Sequence, residues 1–136
     1  MKRLRSGILY ACLVLIAMLG CRGGAEIYNV KDAPINTSTR QTPSLEQVTK
    51  AIVQGGVELK WAMAIVAPGH IVGTFNLRSH TAVVDITYNT KTYSITYKGS
   101  TNLNYDSNTQ RIHGSYRSWI QELNNNIRNR LIAIGM

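Results

Sequence analysis

The chain has 136 residues, 44% of them hydrophobic and two of them cysteine, with 15 Lys and Arg against 7 Asp and Glu for a formal charge of +8. That length holds one small domain with a single core rather than several, and two cysteines, one of them inside the first apolar stretch, exclude a disulfide-built scaffold. The positive charge favours anionic partners, but no run of clustered Lys and Arg marks a polybasic tract, so nucleic acid is not expected among them.

The first element reads as an export signal. Lys2, Arg3 and Arg5 form a basic start, and Gly7 to Leu19 follow without a charge, which is the outline of a signal peptide. Those 13 residues would rise only about 20 Å as a helix against about 30 Å of hydrocarbon, too short for a permanent span. The stretch ends in Met18-Leu19-Gly20-Cys21, which resembles the lipobox of bacterial lipoproteins. Gly20 matches the small residue before the cleavage point, and Met18 and Leu19 stand where leucine and a smaller residue are commoner. The resemblance implies that residues 1–20 are removed and that Cys21 carries a diacylglyceryl group on its sulfur. With Cys12 removed, Cys21 is the one remaining cysteine, and lipidation accounts for it. Two or three acyl chains, at about 0.8 kcal/mol per buried methylene, anchor such a protein stably.

Removing Lys2, Arg3 and Arg5 leaves twelve basic residues against seven acidic ones, about +5. By the sorting rule of enterobacterial lipoproteins, Arg22 after the cysteine implies the outer membrane, and so a cell-envelope protein on its periplasmic side. After Cys21 no apolar run approaches the 18 or more residues of a membrane span.

Residues 21–42 are rich in Gly, Thr, Ser, Asn and Gln and read as a flexible tether, with Ile27 to Val30 strand-like enough to pair onto a sheet edge. A helix is expected from Pro43-Ser44, where Ser44 and Gln47 have capping-box spacing. Leu45, Val48, Ala51 and Ile52 share one face, and Gly55-Gly56 reads as its end. Alternation then predicts a strand through Val57, Leu59, Trp61, Met63 and Ile65, and Ala67-Pro68-Gly69-His70 a turn. A second strand follows with Ile71, Gly73, Phe75 and Leu77 on one face, then a reversal at Arg78-Ser79-His80-Thr81. A third strand carries Ala82, Val84, Ile86 and Tyr88, and a fourth Tyr93, Ile95 and Tyr97. The other face carries Lys60, Thr74, Asn76, Arg78, Asp85, Thr87, Ser94, Thr96 and Lys98, so it is wet.

Connections this short make the four strands an antiparallel meander. A polar loop spans residues 100–110, and Ser115 is positioned to cap a last helix with Tyr116, Trp119, Ile120, Leu123, Ile127 and Leu131 in one stripe. The expected fold over residues 43–136 is α+β, a two-layer domain with an N-terminal and a C-terminal helix packed on one face of the four-stranded sheet.

The later half resembles an uncharacterised family of small Gram-negative lipoproteins at Trp61, Arg78 to Ile86, Tyr93 to Tyr97 with Ser100 to Leu103, and Ile112-His113 with Tyr116 and Trp119-Ile120. The resemblance implies an envelope address and no particular chemistry.

Catalytic groups are sparse. Ser79, His80 and Asp85 are the ingredients of a triad, but neighbours in a turn and strand point apart and no nucleophile elbow is present. His70, His80 and His113 lack paired ligand spacing for zinc. Tyr88, Tyr93, Tyr97 and Phe75 have the composition of a base-stacking platform, yet they fall on the core face. No Gly-rich phosphate loop, HExxH or paired-carboxylate motif occurs, and no cofactor or metal is expected.

Three functions remain: a non-catalytic interaction or assembly module of the envelope, a binder of an anionic lipid or glycan there, and, with least support, an enzyme. Strand direction sends the second strand, the end of the fourth and the start of the last helix to one end of the sheet. The candidate interaction edge is therefore Arg78, His80, Ser100, Asn102, Tyr105 and His113, on loops held by a rigid sheet.

Overall fold

The computed structural model describes residues 23–136; the export signal and Cys21 lie outside the described residues. It is an α+β fold of two helices and a mostly antiparallel sheet. Among the described residues no helix is long and apolar enough to cross a membrane.

Helix α1 spans Leu45–Val57. The Ser44 hydroxyl accepts from the Gln47 N–H at 3.1 Å, and the Gln47 side chain accepts from the Ser44 N–H at 2.9 Å, so two otherwise unpaired donors at the helix start are satisfied reciprocally. Val48, Ala51 and Ile52 are buried, as their spacing predicts. Gly55 and Gly56 do not end the helix; both are buried within it. A Cβ on Gly55 would come within 2.9 Å of the Ile127 Cα, and one on Gly56 would collide with the Met63 side chain. Gly55 lets α1 approach helix α2, Ser115–Ile132, more closely than any side chain would allow, and Gly56 leaves space that the Met63 side chain of the sheet fills. That close approach outweighs the propensity cost of glycine in a helix, about 1 kcal/mol each.

The expected first strand is corrected for the same reason. Val57 belongs to the helix, Leu59 and Lys60 make the exit turn with Lys60 at φ 66°, and β3 covers only Ala62–Ala67. It pairs with β4, His70–Leu77, which pairs with β5, His80–Tyr88, which pairs with β6, Thr92–Thr101, all antiparallel. The Pro68-Gly69 turn is as expected, with Gly69 at φ 78°. A fifth strand, β2 at Val30–Pro34, lies along β6 and gives the order β2-β6-β5-β4-β3. The four-stranded meander is thus part of a five-stranded sheet.

The segment read as a tether is correspondingly shorter. Besides β2, Ala25–Glu26 (β1) pairs with Arg111–Ile112 (β7). Asn29 accepts from the Tyr97 N–H at 3.0 Å, and the Ile27 N–H donates to the Gln110 carbonyl at 2.9 Å. Polar composition concealed these contacts because they are made largely by backbone groups, which any side chain permits.

Ile71, Val84, Ile86, Tyr93 and Ile95 from the sheet and Val48, Ile52, Tyr116, Ile120, Leu123, Ile127 and Leu131 from the helices form one buried cluster. Two polar contacts fasten helix to sheet at its margin, Thr49 with the Tyr88 hydroxyl and the Tyr93 hydroxyl donating to Asn124, each at 2.6 Å.

Glu58, just past α1, receives hydrogen bonds from Asn126 at 2.9 Å and from the Arg130 Nε at 3.1 Å, and pairs with the Arg130 guanidinium. The Asn126 bond first and then Arg130 hold its carboxyl below the usual range against the opposing effect of desolvation. A depressed carboxylate contributes stability above its unfolded value, about 4.3, that is lost as pH falls through the folded value. Glu58→Gln is therefore expected to flatten the decline of melting temperature over roughly pH 5 to 3, while the wild type loses this α1–α2 clamp. Parallel declines in the two proteins would show that the clamp contributes nothing.

Candidate functional site

The two-residue turn between β4 and β5 puts Arg78 at φ 55°, a left-handed conformation that bulky residues rarely adopt. Beyond β6 the chain turns again, with Asn102 and Asn104 at φ 55° and 51°. Hydrogen bonds join the two turns: His80 Nδ1 meets the Asn102 carbonyl at 2.7 Å, and Asn102 Nδ2 donates to the Ser79 carbonyl at 2.8 Å. The His113 N–H then donates to the Leu103 carbonyl at 2.8 Å, bringing in the start of α2.

Between these elements lies a cleft of about 180 Å³. Leu77, Leu103 and Trp119 make its apolar part, and Arg78, His80, His113 and Ser115 its polar part. Hydrogen bonding fixes both imidazole tautomers. A carbonyl can only accept, so His80 carries its proton on Nδ1 and leaves the Nε2 lone pair as an acceptor. The Ser115 N–H donates to His113 Nδ1 at 3.1 Å, so neutral His113 keeps its proton on Nε2 as a donor. Arg78 supplies a permanent charge and further donors.

Of the expected edge, Arg78, His80, Asn102 and His113 meet at this end. Ser100 and Tyr105 do not line the cleft and instead gather at Tyr97. The Ser100 and Tyr97 hydroxyls are 2.8 Å apart, and the Tyr105 ring lies 4.4 Å from that of Tyr97. Tyr97 also meets Tyr116 edge-on at 5.7 Å. Burial, with Tyr97 nearby, raises the Tyr116 phenol far above the ordinary tyrosine value. Ser115 is not the cap of α2; Gly114 occupies that position, and His113 serves the Ser115 N–H instead.

Sequence reasoning missed the cleft's apolar members. Leu77 and Trp119 fall on core-facing stripes in the sequence, and Leu103 lies in a loop with no periodicity to point its side chain inward.

His80 and Asp85 are engaged in separate contacts. His70 Nε2 meets Asp85 at 2.6 Å, Lys98 lies 3.6 Å from the other carboxylate oxygen, and His80 is bound to Asn102. Among the described residues no three His, Cys, Asp or Glu converge as a metal site would require. Tyr88 and Tyr93 are buried in the core, and Phe75 is stacked on Trp61 at 5.2 Å.

A second surface is the sheet edge at β3. The opposite edge, β2, has the features that discourage strand addition: Lys31, Asp32 at φ 48°, a shifted register between Val30 and Ala33, and Pro34. Strand β3 reads Ala-Met-Ala-Ile-Val-Ala with no charge, and Ile65 and Val66 are 59% and 54% exposed. Its one guarding feature is a shifted register between Ile65 and Ala67.

No family model, curated protein or solved structure matches the chain.

Proposed function

We propose that this chain is a lipid-anchored protein of the cell envelope whose domain is a non-catalytic interaction module, joining an extended segment of another envelope protein to its sheet through β3. The observation that carries this reading is the difference between the two sheet edges. A sheet normally blunts both edges, because unpaired backbone donors and acceptors template the addition of another strand. Here one edge is charged, interrupted and closed by proline, and the other is apolar, uncharged and exposed. Strand addition uses backbone hydrogen bonds for affinity and alternate side chains for specificity. The engagement of His80 and Asp85 in separate contacts, with Asn102 and with His70, supports a non-catalytic role. The lipobox-like sequence ending in Cys21 supports the anchor.

One experiment tests both parts in membranes of cells making the full chain. Fatty-acid label is expected on the wild type and not on Cys21→Ser. A photo-crosslinker at Val66 is expected to give a discrete adduct that disappears in Ile65→Lys, a change that guards the edge and leaves the melting temperature within about 2 °C, as an exposed substitution should. Label in Cys21→Ser at the wild-type level would overturn the anchor. An undiminished adduct in Ile65→Lys, or none in the wild type, would overturn the edge.

A further inference from the structure

The cleft between the Arg78 turn and the start of α2 suits a small amphiphile rather than a strand. Its volume of about 180 Å³ is below the roughly 300–1,000 Å³ of pockets that enclose a whole drug-sized ligand, so it fits one end of a molecule. Arg78 and His113 Nε2 are donors for an anionic oxygen, and His80 Nε2 is an acceptor for a hydroxyl. The positive end of the α2 dipole reinforces the preference for an anion. No carboxylate lines the cleft. Leu77, 45% exposed beside Arg78, adds an apolar contact at the mouth.

The start of the described chain indicates where such a molecule would come from. Ala25 pairs with Ile112, the residue before His113, and the Gly24 carbonyl accepts from Arg111 at 2.7 Å. Gly24 needs to be glycine here: its φ is 97°, and a Cβ would meet the Ile112 carbonyl oxygen at 2.5 Å. Cys21 is three residues earlier, a span of at most about 11 Å. A lipid on Cys21 would therefore hold this end of the domain, and the cleft with it, against the headgroup layer.

We propose that the cleft takes the headgroup of an anionic glycerophospholipid, its phosphate on Arg78 and His113 and a glycerol hydroxyl on His80. The membrane source rests on the anchored reading above; the anion-binding chemistry of the cleft does not.

The test uses the unlipidated chain from Arg22 onward, which keeps every buried core residue from Val30 to Leu131, so loss of the anchor and failure of the cleft are read separately. Vesicles of phosphatidylglycerol are expected to shift the tryptophan emission, through Trp119, and to cosediment the protein, while phosphatidylcholine vesicles do neither. Arg78→Gly relieves the left-handed strain and removes the charge, so it should fold and bind at least about tenfold more weakly; Arg78→Lys should retain most of the binding. The emission shift should vanish in Trp119→Phe. Equal binding by Arg78→Gly, or an emission shift that persists in Trp119→Phe, would overturn the proposal. Saturation of the same signal by soluble glycerol phosphate with no preference for vesicles would overturn the lipid source.

Discussion

Replacing Trp61 by alanine is expected to cost about 3–5 kcal/mol, the range for an aromatic side chain removed from a packed core, out of a total near 5–15 kcal/mol for a small domain. Trp61 is 4% exposed and stacks on Phe75, whose ring meets Trp119 edge-on at 5.1 Å. Its backbone N–H closes the turn out of α1 by donating to the Gly56 carbonyl at 3.0 Å. Gly73 lies on the strand beneath, where a Cβ would crowd Val84 at 3.1 Å and Met63 at 3.3 Å and touch the indole at 3.4 Å. The void left by alanine is thus bordered by a helix end, a turn and a strand that cannot collapse together. Urea unfolding should show the loss as a lower midpoint at an unchanged slope. A midpoint equal to that of the wild type would place the indole outside the cooperative core.

Gly55→Ala is expected to destabilise the domain although alanine is the better helix former. The propensity gain is about 1 kcal/mol, and overpacking costs about 1–3 kcal/mol or more when backbone must move. Here the added methyl meets the Ile127 backbone, at 2.9 Å from Cα and 3.0 Å from N, so α1 and α2 must separate. Gly56→Ala is the informative partner, because the three atoms nearest its methyl all belong to the flexible Met63 side chain. Thermal melts should rank the wild type and Gly56→Ala close together and Gly55→Ala well below. Gly99→Ala, with nothing within 4 Å of the added atom, is the control. A Gly55→Ala protein as stable as the wild type would show that the helices are not in backbone contact.

These two positions also show what the sequence did and did not disclose. The capping box at Ser44 and Gln47, the reversals at Pro68-Gly69 and Arg78-Ser79 and the apolar stripe of α2 are local patterns, and each appears where the residues predict it. Gly55-Gly56 reads as a stop because a glycine pair looks the same locally whether it ends a helix or admits a second one. The strand-like Val57-Leu59-Trp61 alternation then reinforced the error. For the candidate site, strand direction alone brought Arg78, His80, Asn102 and His113 to one end. It could not resolve Ser100 and Tyr105, whose side chains turn to Tyr97, nor anticipate Leu103, which enters the cleft from an aperiodic loop. The pairing of β1 with β7 was illegible because two-residue strands joined through backbone leave no periodicity to read.

That same pairing bears on how the chain folds. Residues near the start of the described chain, Ala25 and Glu26, close against Ile112 and Arg111, and Val30 to Pro34 against Ile95 to Thr92. These are the strand pairings most distant in sequence, and forming them requires closing large loops before any of their stabilisation is recovered. The hairpins between Ala62 and Thr101 can form while the rest of the chain is still emerging, but the edge of β6 stays uncovered until the opening segment returns to it. Completion of the domain therefore waits for the last third of the polypeptide, leaving an interval in which an unpaired strand edge is exposed to other chains.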